Sequence, residues 1–340
     1  MAFKTREEYR AAWDRAATED SPVPLNVDIE LASVCNLTCP FCFISDSKFD
    51  EMIRQDSGDG KSRRRLMDTT FAERIIDECQ AIGVPAIKMN WRGESTMHPD
   101  YSRILRYAAS RPKRRILGDG TAIDYIGPCT FHDILVNTNA NCKDAAIDGL
   151  MAATKVMVSM DSLIPATYAV MRRGGSLPRA IEVVRELVKR GHPNLWIRRV
   201  LAKENKHEPF YQQVRATFGD SVKVSEHHCF DRNAGSSHEA GGCDHDVEQR
   251  RTYCGYPSQR LVVASSGLVY PCCIDLHETM PVGDLREQSL LEVWNGEPMK
   301  RLRAELKAGT YTSEACKNCV SWMSYDAPQR AQVQDVEIVK

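Results

Sequence analysis

From Asp68 to His228 the chain alternates helical and extended patterns, and this rhythm restricts the fold more than any other feature. TTFAERIIDECQAIG carries apolar residues at helical spacing and stops at Gly83, and PAIKMNW then reads as a buried strand. HPDYSRILRYAAS, KDAAIDGLMAA, LPRAIEVVRELVKRG and EPFYQQVRATF read as further helices. DILVNTNA, KVMVSMD, LWIRRVLA and SVKVSEHH read as the strands between them. Strands separated by helices form a parallel sheet with crossover connections, either open or curved into a barrel. In both cases ligands bind at the carboxyl ends of the strands.

The flanks differ in character. Residues 3–18 read as an amphipathic helix, and VPLNVDIELASVC alternates apolar and polar residues into a strand that feeds a cysteine loop. Residues 46–65 read as an exposed polar loop, and 111–130 as an insertion between a helix and a strand. Residues 229–250 are rich in Gly, Ser, His and Asp without periodicity, and read as a linker that also covers the active site. Beyond Cys254, RLVVASSGLVYPC reads as a β-hairpin turning at Ser266-Gly267, and SLLEVWNGEPMKRLRAELKAG as helical. The expected division is an N-terminal helix (1–25), an α/β body (26–228), a covering linker (229–253), a small cysteine-rich domain (254–325) and a tail (326–340).

Composition narrows the function classes. Among 340 residues, 42% are hydrophobic, 27% are charged and the net charge is -1, so no broad attraction to nucleic acid or membrane follows. Arg63-Arg64-Arg65 and the basic run at 111–115 read as solvated loop surface. The N-terminus is charged throughout, unlike a signal peptide, and no stretch approaches the ~20 apolar residues of a membrane span. A cytoplasmic location is expected. Thirteen cysteines then need a reason, because disulfides rarely persist there. An odd number at short spacings points to metal ligation, and thiolates suit zinc or iron–sulfur clusters.

Cys35, Cys39 and Cys42 lie in one eight-residue loop directly after a strand. A cubane cluster takes up to four thiolates, so three leave one iron open to an outside ligand. The bland alternative is a zinc knuckle with a distant fourth ligand. This spacing, with Phe41 before the last cysteine, resembles the radical S-adenosylmethionine (SAM) superfamily. The resemblance spans residues 26–230 and implies a partial (β/α)6 TIM-like barrel. It further implies that Gly93 and Glu94, in Trp91-Arg92-Gly93-Glu94, hold the SAM amino group. Asn137 and Asn139 would contact the ribose or adenine region, with Ser159 and Asp161 ending the next strand. Arg198 or Arg199 would pair with the SAM carboxylate. By the same resemblance, SAM on the open iron yields a 5′-deoxyadenosyl radical that abstracts hydrogen from substrate.

A second thiol set comprises Cys254, Cys272 or the adjacent Cys273, and Cys316 with Cys319. Four thiolates suit zinc or an iron–sulfur cluster equally. The surrounding residues resemble SPASM/twitch auxiliary-cluster domains: Tyr-Pro-Cys-Cys on the hairpin, Val-Gly-Asp-Leu, then Leu-Leu-Glu-Val-Trp-Asn. No cysteine follows Cys319, which implies a single twitch-like 4Fe–4S cluster that relays electrons. Of the remainder, Cys79 reads as a core residue, and Cys243 as a candidate hydrogen-atom donor in the covering loop.

Three reactions compete. One is dehydrogenation of a hydroxyl-bearing small molecule, as in the twitch-domain dehydrogenases of aminocyclitol and aminoglycoside biosynthesis that the chain resembles. Another is peptide or protein modification, against which stands the short segment of about 25 residues before the first strand. The last is a redox-neutral sugar rearrangement or elimination. His228 and Asp231 are candidate bases, and Trp91, Arg92, Arg232 and Asp275 candidate substrate contacts. A flavodoxin or ferredoxin is the expected electron donor.

Overall fold

A computed structural model describes residues 3–16, 19–45, 65–110, 113–116, 122–125, 131–228, 254–317 and 319. Its strands are β1 (Asn26–Ile29), β2 (Ala86–Lys88), β3 (Lys113–Ile116), β4 (Ala122–Tyr125), β5 (Asp133–Thr138) and β6 (Lys155–Ser159). They continue with β7 (Leu195–Leu201), β8 (Val222–His228), β9 (Arg260–Val263), β10 (Leu268–Tyr270) and β11 (Gly283–Asp284). The principal helices are α1 (Arg6–Arg15), α2 (Thr69–Ile82), α3 (Tyr101–Ser110), α4 (Ile147–Ala152), α5 (Pro165–Met171) and α6 (Leu177–Lys189). After them come α7 (Phe210–Phe218), α8 (Leu290–Trp294) and α9 (Glu297–Lys307).

Several helix starts follow from local chemistry. The Asp68 carboxylate accepts the Phe71 N–H at 2.9 Å to cap α2, which ends on Gly83 at φ 83°. Ser176 caps α6, and Ser289 with Glu292 forms a capping box on α8. The long C-terminal helical pattern divides into α8 and α9 because Gly296 is extended and Pro298 opens the next helix. Helix α5 lacks a strong periodic signal and escaped the sequence reading. The insertion at 111–130 carries the antiparallel hairpin β3–β4, apart from the main sheet.

The main sheet has nine strands in the order β11-β10-β9-β1-β2-β5-β6-β7-β8. From β1 to β8 all pairs are parallel, giving the partial (β/α)6 barrel. Odd-numbered side chains of β1 and alternate ones of the other strands (Val27, Ile87, Ile134, Val156, Ile197) bury against the helices in one core. The opposite face is polar even where buried, with Asn26 and Asp28 on β1 and Glu30 just after it. Helix α1 packs Tyr9 and Ala16 on Leu25 and Ala86, and its Arg6 and Arg10 pair with Asp133 at 2.6 and 3.1 Å. This places α1 at the amino ends of the strands, leaving the carboxyl ends for the site.

The C-terminal hairpin continues this sheet instead of standing apart. Strand β9 pairs in parallel with β1, from Asn26↔Arg260 to Ile29↔Val263, and β10 and β11 follow antiparallel.

Candidate active site

Asparagine and arginine contacts gather around the three-cysteine loop. Cys39 is buried, while Cys35 and Cys42 are partly exposed. The Leu37 N–H points at Cys35 Sγ at 3.4 Å and Asn139 Nδ2 at 3.9 Å. Arg172 Nη1 lies 3.8 Å from Cys39 Sγ, and its guanidinium sits 5.4 Å from the Phe41 ring. Such N–H···S donors are what thiolates in a cluster receive. Burial pushes the free Cys35 thiol up to about 12 and raises Cys39, where Arg172 opposes the rise. A bound cation reverses that preference and holds the thiolates ionised. Thiolates that bind separate irons need not meet at one point, and among the described residues no three His, Cys, Asp or Glu side chains do. The three thiols, with N–H donors at Cys35 and Cys39, suit a cluster.

Trp91 to Glu94 form the turn after β2, seated on the cysteine loop. Gly93 has φ 63°, and a Cβ there would lie 2.2 Å from the Ala32 carbonyl oxygen and 2.6 Å from that of Val34. The Glu94 N–H donates to Val34 O at 2.8 Å. The Glu94 carboxylate is buried and accepts from Thr138 Oγ1, the Asn139 N–H and Thr96 Oγ1 at 2.7–2.8 Å. Burial raises its pKa despite these donors. Glu94 thus binds the turn to the end of β5, with both oxygens engaged inside the protein. Asn139 also donates to Asn36 Oδ1 at 2.9 Å, joining β5 to the cysteine loop. The neighbouring Asn137 N–H bonds Asn90.

The structure separates residues that looked alike in the sequence. Ser159 and Arg198 are cross-strand partners, and Arg198 Nη2 lies 3.3 Å from Met157 Sδ on the polar sheet face. Arg199 points the other way, between Glu226 at 2.5 Å and the Asn205 and Glu208 carbonyls, against the Phe210 ring. It is not brought to the sheet face expected to hold SAM. Asp161 is fully buried at φ 59°, accepts the Val200 N–H at 2.7 Å and pairs with Arg172 Nε at 2.6 Å. Its carboxylate faces an arginine, not open space. Arg172 was absent from the sequence reading. Only the short cationic stretch Arg172-Arg173 before Gly174-Gly175 could have drawn attention to it.

Trp91 and Arg92, candidate substrate contacts by sequence, instead hold the second cysteine segment. Trp91 Nε1 donates to the Cys273 carbonyl at 2.9 Å, and its ring packs on Tyr270. Arg92 pairs with Glu30 at 2.7 Å and with Glu278, and donates to Leu276 O. Phe43, just after Cys42, meets His277 edge-on at 5.3 Å and joins Trp91, Tyr270 and Leu276 in one apolar cluster. Asp275 accepts from Thr279 and Met280 and closes its own loop.

In that segment the Cys272–Cys273 contact raises Cys272 and lowers Cys273, with Arg260 Nη1 3.8 Å from Cys273 Sγ. Cys316 and Cys319 share one turn, the Cys319 N–H donating to Cys316 O. Cys79 is a core residue of α2. Cys243, Asp231 and Arg232 lie outside the described residues, as does the His228 side chain, whose backbone ends β8.

The family model of the radical SAM superfamily matches residues 29–212, more than half the chain. The chain belongs to the radical SAM superfamily. The model of the SPASM iron–sulfur cluster-binding domain matches residues 254–320. Members of this superfamily carry a 4Fe–4S cluster with SAM, and the SPASM module adds auxiliary iron–sulfur chemistry. A 67-residue stretch is 36% identical to the S-adenosyl-L-methionine-dependent 2-deoxy-scyllo-inosamine dehydrogenase of Niallia circulans. That match spans 19% of this chain and 27% of the relative. Among solved structures, BtrN in complex with AdoMet and 2-DOIA superposes with a TM-score of 0.53 at 18% identity. The likeness covers 89% of this chain and 94% of BtrN. Streptococcus suis SuiB bound to precursor peptide SuiA gives 0.61 at 16% identity, over 92% and 73% of the two chains. Native anSMEcpe with bound AdoMet and Cp18Cys peptide gives 0.57 at 15%, over 87% and 86%. At these identities the likeness is one of fold. No helix among the described residues is long and apolar enough to cross a membrane.

Proposed function

We propose that this radical SAM enzyme is a dehydrogenase that oxidises a hydroxyl-bearing small molecule, an aminocyclitol or sugar in natural-product biosynthesis, by two electrons. The observation that carries the reading is the joint between the cysteine segments. Strand β9 extends the barrel sheet beside β1, and the turn after β2 grips the Cys272–Cys273 backbone through Trp91 and Arg92. A site with four protein thiolates, fixed against the barrel in this way, suits an electron acceptor more than a substrate ligand. The relative that is 36% identical over 67 residues supports this, being a SAM-dependent dehydrogenase.

When bound to the cluster on Cys35, Cys39 and Cys42, SAM supplies a carbon-centred radical that removes one hydrogen atom from the substrate. A base would take the hydroxyl proton, and Cys254, Cys272, Cys316 and Cys319 would hold an auxiliary cluster able to accept the second electron. A C–H and an O–H bond are thereby exchanged for a carbonyl. Cys272 is assigned to this set over Cys273, whose Sγ faces Arg260 Nη1 at 3.8 Å. Gly93 and Asn139 contact the cysteine loop at the carboxyl ends of the strands, and Asn137, Ser159 and Arg198 remain the proposed SAM contacts on the adjoining strands. His228, ending the last barrel strand, and Asp231 just beyond it are the candidate bases. Cys243 would serve as a hydrogen-atom donor in a redox-neutral outcome. A flavodoxin or ferredoxin would reduce the first cluster.

The test is anaerobic reconstitution with iron counting, then turnover with candidate aminocyclitols under reducing conditions. About eight irons per chain are expected from two cubanes, with one ketone formed per 5′-deoxyadenosine. A product at the substrate's own oxidation level, or modification of a precursor peptide only, would refute the dehydrogenase reading.

A further inference from the structure

We infer that Arg172 is a positioning residue that raises the reduction potential of the cluster carried by Cys35, Cys39 and Cys42, which rests on those three cysteines being its ligands. Arg172 ends α5 and is almost wholly buried. One edge of its guanidinium is taken by Asp161, Nε to Oδ2 at 2.6 Å. The other edge faces sulfur, with Nη1 3.8 Å from Cys39 Sγ.

Everything around this arginine fixes it. Asp161 is itself pinned by the Val200 N–H on one oxygen and by Asn205 Nδ2 on its backbone carbonyl, at 2.7 and 2.9 Å. The chain after Arg172 is tied to the cysteine loop, since the Thr38 N–H donates to Arg173 O at 2.9 Å. A methyl group on Gly175 would come within 3.2 Å of Leu37 Cδ2 and Tyr168 Oη, so the two segments touch. Tyr168 Oη in turn accepts from Asn141 Nδ2 at 2.9 Å. A buried ion pair seldom repays its desolvation as a stabilising device. Here its geometry instead delivers a fixed cation to a thiolate.

The electrostatic consequence has a definite sign. One-electron reduction makes a thiolate-bound cluster more negative by one unit, and a cation with N–H donors at the sulfur stabilises that state more than the oxidised one. Asp161 opposes the effect, but it sits on the Nε side of the guanidinium, while Arg172 Nη1 itself faces Cys39 Sγ. The sequence placed Asp161 on SAM; the structure makes it the residue that aims Arg172.

The full chain, reconstituted anaerobically, is titrated with dithionite and mediators while the EPR signal that shifts on adding SAM is followed. That shift marks the three-cysteine cluster apart from the auxiliary one. Arg172→Gln and Arg172→Met are expected to disfavour reduction about tenfold, a midpoint lower by about 59 mV for one electron. Arg172→Lys, which keeps the charge, is expected to recover at least half of the shift. A wild-type midpoint in Arg172→Gln overturns the role of Arg172. If neither neutral variant loads iron, wild-type protein grown on guanidino-15N arginine decides. A 15N coupling on the SAM-shifted signal supports the contact, and its absence overturns it. Separately, a Cys39→Ala chain that retains the SAM-shifted signal would overturn the ligand reading itself.

Discussion

Gly93 shows how one residue can matter through the space it leaves empty. Its φ of 63° disfavours any side chain, and a Cβ would meet the Ala32 and Val34 carbonyls at 2.2 and 2.6 Å. Gly93→Ala must therefore displace the backbone that leads into Cys35. The expected cost is at least about 2 kcal/mol of stability, with iron lost from the first cluster. Thermal unfolding of the apo-protein and iron counting after reconstitution measure the two effects separately. A wild-type midpoint and full iron would show that residues 32–34 yield freely. The sequence motif drew attention to this glycine, but its reason is a contact across some sixty residues that no local pattern carries. The same gap explains Asp161 and Arg199. A polar residue at a strand end looks alike whether it faces a ligand, an arginine or the helices, and only the register decides. Arg172 lay outside every such motif.

At the scale of elements, local pattern carried far. Alternating strands and helices, Gly83 as a helix stop and the Ser266-Gly267 turn are encoded within a few residues, and all appear as read. Helix α5 and the β3–β4 hairpin, short and weakly patterned, did not announce themselves. Nor did the polar face that β6, β7 and β8 share. There Lys155 Nζ lies 4.4 Å from the Trp196 ring centre and Lys223 Nζ 5.3 Å, on neighbouring strands. Burial, reinforced by the charges of Arg198 and Arg10, lowers the Lys155 pKa to about 8. The folded state thus binds this proton less tightly than the unfolded chain, where the lysine keeps its ordinary value of 10.5. Between about 8 and 10.5 the unfolded state holds more protons, so stability should rise with pH across that window. Below it, Lys155 weakens the fold. Lys155→Met, of similar shape, is expected to raise the unfolding midpoint at neutral pH and to flatten the rise at alkaline pH. Parallel pH–stability curves for wild type and variant would contradict the burial of this charge.

For the whole molecule, the decisive pairing joins residues 26–29 to residues 260–263. From sequence the C-terminal segment read as a small cysteine-rich domain, and its β9 is the parallel neighbour of β1, covering what would otherwise be a sheet edge. Charges cross the same seam. Glu30 accepts from Ser265 N–H and Oγ, and Arg92 holds Glu30 on one side and Glu278 on the other. A chain ended at residue 253 would strip β1 of its β9 neighbour and leave Arg92 and Glu30 incompletely bonded in an apolar setting. It is expected to aggregate, or to unfold at a much lower temperature than the full chain. The fair control keeps the sheet and removes only the thiols: Cys254→Ser, Cys272→Ser, Cys316→Ser and Cys319→Ser together. That variant is expected to remain monodisperse and to hold about four irons, one cubane, while still cleaving SAM. Gel filtration and iron counting on both proteins separate architecture from redox chemistry. A monodisperse 1–253 chain with a complete first cluster would mean that β9 decorates the barrel without supporting it.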